Sequence, residues 1–234
     1  MMPGDPHQRE VRGAGWLSQF FICAAGVSAV WVAGSRAWFP TWQGLPNTPL
    51  TTLLLLAGAG GAKRHVPPCY RWSIVAGLGC SALGDALLGL GRDWFVAGLG
   101  SFLATHLCYL WAFTRDSRLA GHKLPFVLWG VWGMALMPLL WPGVGARLRI
   151  PVVLYAVAIV AMAAQAASRA ASRRNAAAIL AAVGAALFVV SDSVLAFQRF
   201  RQPLDWGRVM VLGTYFAAQG GIALSVVLRR DQPA

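Results

Sequence analysis

Two aspartates lie inside long apolar stretches of the chain, and their position makes them the first candidates for chemistry. Of the eight acidic residues, Asp85 and Asp192 are the two that fall away from termini and charged segments. The other six lie near termini or predicted loops: Asp5, Glu10, Asp93, Asp116, Asp205 and Asp231. An aspartate in a membrane segment costs about 2.5–3.5 kcal/mol on insertion scales and is a functional residue by default. The alternative is a structural role, in which each carboxyl group hydrogen-bonds neighbouring helices.

Two carboxyl groups supply both an acid and an anion when their surroundings differ. Burial and a neighbouring negative charge each favour the protonated form of a carboxylic acid. In glycosidases one such group donates a proton while the other stabilises an oxocarbenium-like cation. We therefore hypothesise acid/base catalysis by Asp85 and Asp192, with the two roles unassigned.

Further polar residues occur at helical spacing in the same apolar segments. His106 is the single histidine within a predicted crossing; alone it is typical of a hydrogen-bonded core residue, but beside a carboxylate it is a candidate partner. Ser191 precedes Asp192, and Tyr215 and Gln219 lie one helical turn apart, where they could also serve as interfacial anchor and interhelical contact. The i, i+3, i+4 spacing predicts one face of a helix for Gly98, Phe102, Thr105, His106, Tyr109 and Phe113.

The composition places these residues in a membrane protein. Of 234 residues, 57% are hydrophobic and 12% are charged, and the mean hydropathy is +0.57. A helix needs about 20 apolar residues to cross a bilayer. We predict an all-α polytopic bundle in one domain, residues 1–234, with about eight transmembrane helices. The predicted crossings are 16–34, 45–62, 72–91, 94–114, 124–141, 150–168, 176–198 and 208–228.

The basic residues indicate topology, because they form short runs between apolar segments instead of one nucleic-acid-binding face. The net charge is +12, and no nucleic-acid partner is predicted. With eight crossings, thirteen of the 20 Lys and Arg residues, Arg169 among them, share the side of both termini. The positive-inside rule then predicts cytoplasmic termini. The four cysteines form no CxxC pair, so neither a disulfide nor a zinc site is predicted.

A weak internal repeat relates the segments around the two aspartates. After each Asp a Leu follows at three residues and an Arg at seven, and an Asp-Trp pair comes next, Asp93-Trp94 and Asp205-Trp206. The pattern predicts two parallel four-helix halves, residues 1–120 and 121–234, with both aspartates at similar depth nearer the non-cytoplasmic face. Chance similarity between apolar sequences is the alternative.

The motifs resemble those of the YhhN-like integral membrane proteins, whose characterised members are lysoplasmalogenases. Gly84-Asp85 resembles the Gly-Asp motif of the family, and Ser191-Asp192 and Tyr215-x3-Gln219 resemble its later motifs. A further motif, F-x2-G-x3-F-x3-H-x2-Y, is matched by Phe95, Gly98, Phe102, His106 and Tyr109. The chain departs from the family at Thr48-Pro49, where the family usually has Lys-Pro, and this bears on substrate choice or activity.

The resemblance implies a membrane hydrolase that acts on a lysophospholipid. Its implied reaction cleaves the vinyl ether of a lysoplasmalogen to a fatty aldehyde and glycerophosphoethanolamine or glycerophosphocholine, with no metal or other cofactor. Asp85 and Asp192 would be catalytic, and the supporting residues would be His106, Tyr109, Ser191, Tyr215 and Gln219. Membrane lipids would surround the chain, and the high Ala, Gly, Arg and Trp content suits the inner membrane of a bacterium of high genomic GC content.

Two other functions fit the same residues. Paired intramembrane carboxylates and parallel repeats also occur in small-solute and proton-coupled transporters. A membrane-structural or interaction protein would use the aspartates for stability alone. Turnover by purified protein in detergent separates the hydrolase from the transporter, because transport requires sealed vesicles. The structural role predicts that Asp85→Asn and Asp192→Asn change stability but abolish no activity.

Overall fold

The computed structural model describes residues 47–61 and 66–228, which form a bundle of α-helices. The predicted crossing at 16–34 lies outside the described residues, and the seven described helices correspond to the other seven predicted crossings. In chain order the helices are α1 (Asn47–Gly60), α2 (Pro68–Gly89), α3 (Phe95–Thr114), α4 (Leu124–Leu140), α5 (Arg149–Arg173), α6 (Ala176–Phe200) and α7 (Gly207–Val227). Single 3-10 turns lie at Arg92–Trp94, Trp141–Gly143 and Ala146–Leu148.

The outside of the bundle is apolar. Six helices, α2 to α7, are long and apolar enough to cross a membrane. Helix α4 shows the character of this surface most clearly, since Leu140 is its one buried residue while Leu128, Trp132 and Met134 are exposed. Water-soluble monomers do not expose apolar surface on this scale. The chain is therefore an integral membrane protein.

Two helix boundaries differ from the prediction by more than two residues. Helix α2 begins at Pro68, four residues before the predicted start, because proline suits the first helical turn, where its missing N–H needs no partner. Helix α5 continues to Arg173, five residues beyond the predicted end at 168. The predicted boundaries at 72 and 168 therefore left out the first four residues of α2 and the last five of α5.

Two helical hairpins form the centre of the bundle, α2 with α3 and α6 with α7. Helix α1 packs against α2 and α7, α5 packs against α3 and α6, and α4 lies outside against α5. In the second hairpin the backbones approach closely, since a Cβ on Gly184 would lie 2.7 Å from the carbonyl oxygen of Ala218. Small residues at such crossings allow the van der Waals contact that drives helix association in lipid.

A buried ion pair closes one end of the bundle. Arg169 is 1% exposed, and its Nε and Nη2 donate to Oδ1 and Oδ2 of Asp116 at 2.8 and 2.9 Å. The guanidinium also lies over the ring of Tyr70, with 4.9 Å between Cζ and the ring centroid. The prediction of Arg169 as a loop cation was wrong, because the loop after α3 brings Asp116 back onto α5 and supplies a partner that permits burial.

Candidate active site

Asp85 lies four residues before the end of α2 and accepts hydrogen bonds from two other helices. Its Oδ2 accepts from the hydroxyl of Thr52 on α1 at 2.9 Å and from the hydroxyl of Tyr215 on α7 at 2.7 Å. Thr52 is fully buried and Tyr215 is 5% exposed. Three helices therefore meet at one carboxylate oxygen, in the arrangement expected for an intramembrane aspartate.

A directed chain of hydrogen bonds continues from Tyr215 into the core. Ser81 lies 2.8 Å from the Tyr215 hydroxyl and accepts from Nε2 of Gln219 at 2.5 Å. The Tyr109 hydroxyl donates to Oε1 of Gln219 at 2.7 Å. The hydroxyl proton of Tyr215 is donated to Asp85, so Ser81 must be the donor in the hydrogen bond between Ser81 and Tyr215. The donors thus run in one direction, from Tyr109 to the carboxylate of Asp85.

Two glycines of α2 make room for the rings that line this chain. A Cβ on Gly77 would lie 2.2 Å from Cε1 of Tyr109, and a Cβ on Gly84 would lie 2.7 Å from Cε2 of Phe102. Real Cβ atoms do not approach other atoms so closely, so the rings occupy the space that a side chain would fill. The glycine of the Gly84-Asp85 motif therefore has a packing role beside the carboxyl group.

Asp192 lies eight residues before the end of α6 and has a second, smaller set of partners. The hydroxyl of Tyr155 on α5 donates to its Oδ2. Nε2 of His106 on α3 lies 3.0 Å from the same hydroxyl and 3.6 Å from the carboxylate oxygen, so its hydrogen bond is to the tyrosine. His106 is fully buried, whereas the Asp192 side chain is 13% exposed.

The contacts of His106 assign its tautomer. The hydroxyl proton of Tyr155 is donated to Asp192, so the tyrosine oxygen accepts from Nε2, which must carry a proton. Nδ1 is buried and has no hydrogen-bond partner among the described residues. A proton on both nitrogens would leave a buried donor unsatisfied, which favours the neutral imidazole with its proton on Nε2.

The ring of Phe188 lies between the two sets of partners. Its centroid is 4.9 Å from that of His106 and 5.5 Å from that of Tyr215, in edge-to-face contacts with both. Phe188 is one helical turn before Asp192 on α6. The two aspartate clusters are thus adjacent, and one aromatic side chain forms part of the wall of each.

The helices exchange partners across the bundle. Asp85, in the first helix of one hairpin, accepts from the second helix of the other hairpin and from α1. Asp192 lies in the first helix of the second hairpin. It accepts a hydrogen bond from Tyr155 on α5, and Tyr155 in turn bonds His106 on α3 of the first hairpin. Each aspartate is therefore positioned by the opposite hairpin together with one flanking helix.

The structure brings most of the predicted residues together. Asp85, Tyr215, Gln219 and Tyr109 form one cluster, and His106 lies beside Asp192. The predicted face of α3 is confirmed, since all six of its residues are buried. Ser191 is buried as well, but its hydroxyl donates to the carbonyl oxygen of Val211 at 3.0 Å and joins α6 to α7.

Three polar residues of the clusters were missed by the sequence reasoning: Thr52, Ser81 and Tyr155. Tyr155 carried a usable signal, because it is one of four tyrosines and lies inside a predicted crossing. Thr52 and Ser81 carried little, since a hydroxyl in a membrane helix can bond its own backbone. Within residues 47–61 and 66–228, no three His, Cys, Asp or Glu side chains converge in the way a metal-binding group requires.

The chain has relatives of known family. Residues 46–226 match the YhhN family. The chain is 33% identical to the lysoplasmalogenase TMEM86B of Sus scrofa over 216 residues, which are 90% of this chain and 86% of the relative. It is 33% identical to the lysoplasmalogenase TMEM86A of Bos taurus over 228 residues, 92% and 90% of the two chains. It is 32% identical to the uncharacterized membrane protein YhhN of Escherichia coli O157:H7 over 190 residues, 81% and 89% of the two. No solved structure matches.

Proposed function

This chain belongs to the YhhN family, and from that membership and its two aspartate clusters we propose that it is a lysoplasmalogenase. The observation that carries the proposal is the pair of intramembrane aspartates, of which Asp85 accepts from two hydroxyl groups and Asp192 from one, all on neighbouring helices. The proposed substrate is a lysophospholipid with a vinyl ether at its glycerol. The proposed products are a fatty aldehyde and a glycerophospho-alcohol such as glycerophosphoethanolamine or glycerophosphocholine.

The depth of the aspartates suits this substrate. Asp85 and Asp192 lie four and eight residues before the ends of α2 and α6, or about 6 and 12 Å from those ends at 1.5 Å per residue. A vinyl ether on glycerol lies just below the headgroup of its lipid, at the outer boundary of the hydrocarbon core. The alkenyl chain would enter between the apolar helices while the phosphate stays near the helix ends.

The proposed reaction needs one proton donor and one anion. A carboxylic acid protonates the β-carbon of the vinyl ether, and the electron pair of the double bond forms the new C–H bond while the ether oxygen stabilises the cation. The second carboxyl group, as an anion, faces this oxocarbenium ion and takes a proton from the water that attacks it. The hemiacetal then breaks its bond to the glycerol oxygen and yields the aldehyde.

The proposal includes two parallel halves of the chain and the orientation of the chain in the membrane. The hydrogen bonds between the hairpins support the parallel repeat of residues 1–120 and 121–234. In such a repeat α1 corresponds to α5 and α7 to α3, and these are the helices that hold Asp85 and Asp192. Both termini would be cytoplasmic and the clusters would lie toward the other face of a bacterial inner membrane. Labelling of single cysteines placed at Asp93 and Lys123, which are in turns at opposite ends of α3, tests this orientation in intact cells.

Turnover of defined lipids by purified protein in detergent tests the proposed activity. We expect aldehyde release from a lysoplasmalogen, no reaction with the saturated alkyl-ether analogue, and no fatty acid from the acyl analogue, because only the vinyl ether forms an oxocarbenium ion on protonation. The named relatives do not favour a proton-coupled transporter. Folded protein that leaves the lysoplasmalogen intact in detergent would contradict the proposal.

A further inference from the structure

The two aspartates differ in the number and direction of their hydrogen-bond donors. Oδ2 of Asp85 accepts from two hydroxyl groups, and one of these ends the chain that begins at Tyr109. Every donor of that chain points toward the carboxylate. Aligned donors polarise one another, so the chain strengthens the hydrogen bond that Tyr215 donates to this oxygen. This arrangement stabilises a negative charge at Asp85 and fixes it in place before any substrate binds.

Asp192 has a different environment. The contacts described for it, from Tyr155 and from His106 at 3.6 Å, are both at Oδ2. Its side chain is 13% exposed in the protein alone, so Asp192 has access to a bound lipid that the fully buried His106 lacks. When one oxygen of a carboxylic acid accepts a hydrogen bond, the acid can carry its proton on the other oxygen. The hydrogen bond also fixes the orientation of the carboxyl group, and with it the direction of the O–H bond.

We propose that Asp192 is the general acid and Asp85 the anion, an assignment that rests on the proposed function. In this assignment Tyr155 and His106 position the acid. Tyr155 holds Oδ2 of Asp192, so the transferable proton is on Oδ1. His106 donates from Nε2 to the tyrosine oxygen and keeps the tyrosine proton directed at Asp192. His106 and Tyr155 touch the acid and not the reacting carbons, so they are positioning residues.

The assignment gives a cycle that restores both groups. The Oδ1–H bond of Asp192 breaks as the β-carbon gains the proton, which leaves a carboxylate and an oxocarbenium ion. Water attacks the cationic carbon and gives its proton to Asp85. When the hemiacetal collapses, its hydroxyl proton returns to Asp192, and Asp85 gives its proton to the departing glycerol oxygen. One water is consumed, and no other reactant is required.

Binding of a charged lysolipid analogue to inactive variants tests the assignment. The probe has a secondary ammonium group in place of the vinyl ether oxygen, and a neutral alkyl-ether lysolipid is the reference. We expect Asp85→Asn to weaken ammonium binding by at least about tenfold relative to the reference, since it removes a charge-assisted hydrogen bond. Asp192→Asn should change the ratio by less than about twofold, because a neutral amide replaces a neutral acid of the same shape.

The outcomes separate the two proposals. The reverse pattern, an equal loss in both variants, or no loss in either would overturn the role assignment. If the wild-type protein binds neither lysolipid, the proposed function itself fails. Thermal melting of each variant in detergent confirms that it is folded, and Asp93→Asn, an exposed aspartate in the turn after α2, is the matched control.

Kinetics of the tyrosine and histidine variants test the positioning role. Tyr155→Phe should lower kcat by about 10–100-fold with KM nearly unchanged, because the lipid still binds while the acid is misdirected. His106→Gln keeps an N–H donor and should retain more activity than His106→Ala. Tyr70→Phe removes a tyrosine hydroxyl that bonds Ser225, and it is the matched control. A change confined to KM, or equal losses in Tyr155→Phe and Tyr70→Phe, would overturn the positioning role.

Discussion

Partly buried aspartates occur at both ends of this bundle, and they differ in their partners. At one end Asp116 receives two parallel hydrogen bonds from the guanidinium of Arg169, and its backbone carbonyl accepts from Arg173. At the other end Asp85 and Asp192 receive hydrogen bonds from hydroxyl groups. A carboxylate paired with a guanidinium keeps its charge, because arginine does not give up its proton. A hydroxyl group both donates and accepts, so it can stay hydrogen-bonded to a carboxyl group that gains or loses a proton.

Under the proposed function, the two ends of the bundle have different roles, one structural and one catalytic. The Arg169 end joins the loop after α3 to α5, and Gln165 and Ser168 of α5 bind backbone groups of the same loop. These hydrogen bonds fix the loop to α5. The polar groups at the other end converge on two carboxyl groups. Substitutions at the first end should therefore change stability, and substitutions at the second should change catalysis.

The largest expected effect on stability is at the ion pair. Arg169→Met removes the two hydrogen bonds that the guanidinium donates to the Asp116 carboxylate, and breaking a buried ion pair costs about 3–5 kcal/mol. We expect a large drop in the denaturation midpoint in detergent, with specific activity retained per folded molecule. Arg173→Met, which removes an exposed arginine from the same carbonyl, should have a small effect. A fully folded Arg169→Met protein that had lost activity would contradict the division between the two ends.

Gly77→Ala is expected to affect both stability and activity. The added Cβ would lie 2.2 Å from the Tyr109 ring, and overpacking of this kind costs about 1–3 kcal/mol. The ring would move its hydroxyl away from Gln219, and we expect turnover to fall by about tenfold as the donors to Asp85 lose alignment. Gly100→Ala, also on the first hairpin with open space around its Cβ, is the control. Wild-type turnover in Gly77→Ala would show that the chain is not needed for catalysis.

The smallest effects on stability and turnover are expected from two tyrosine substitutions, Tyr70→Phe and Tyr109→Phe. Tyr70 bonds Ser225 at 2.7 Å, and Tyr109 bonds Gln219 at the same distance, as the first donor of the chain that leads to Asp85. Each Tyr→Phe change should cost about 1 kcal/mol of stability. Turnover should fall by a few-fold in Tyr109→Phe alone. Equal turnover in the two variants, measured at a temperature where both are folded, would go against the proposed role of the chain.

The sequence predicted the central residues of the site because polar groups are costly in a membrane helix. Asp85, Asp192, His106, Tyr215 and Gln219 stood out for this reason, and the helical period predicted the buried face of α3. The pairing of Tyr155 with Asp192 could not be predicted, since it depends on α5 packing between α3 and α6. Arg169 was misplaced for the same kind of reason, because its partner comes from a loop 53 residues earlier in the chain.

The most direct test of the central claim is aldehyde release from a lysoplasmalogen by purified variants in which single aspartates become asparagine. We expect Asp85→Asn and Asp192→Asn to remain folded and to lose about 10²–10⁴-fold in turnover. Asp93→Asn and Asp205→Asn, which change exposed aspartates in the turns after the same two helices, should retain wild-type rates. Undiminished hydrolysis by either Asp85→Asn or Asp192→Asn would contradict two-aspartate catalysis.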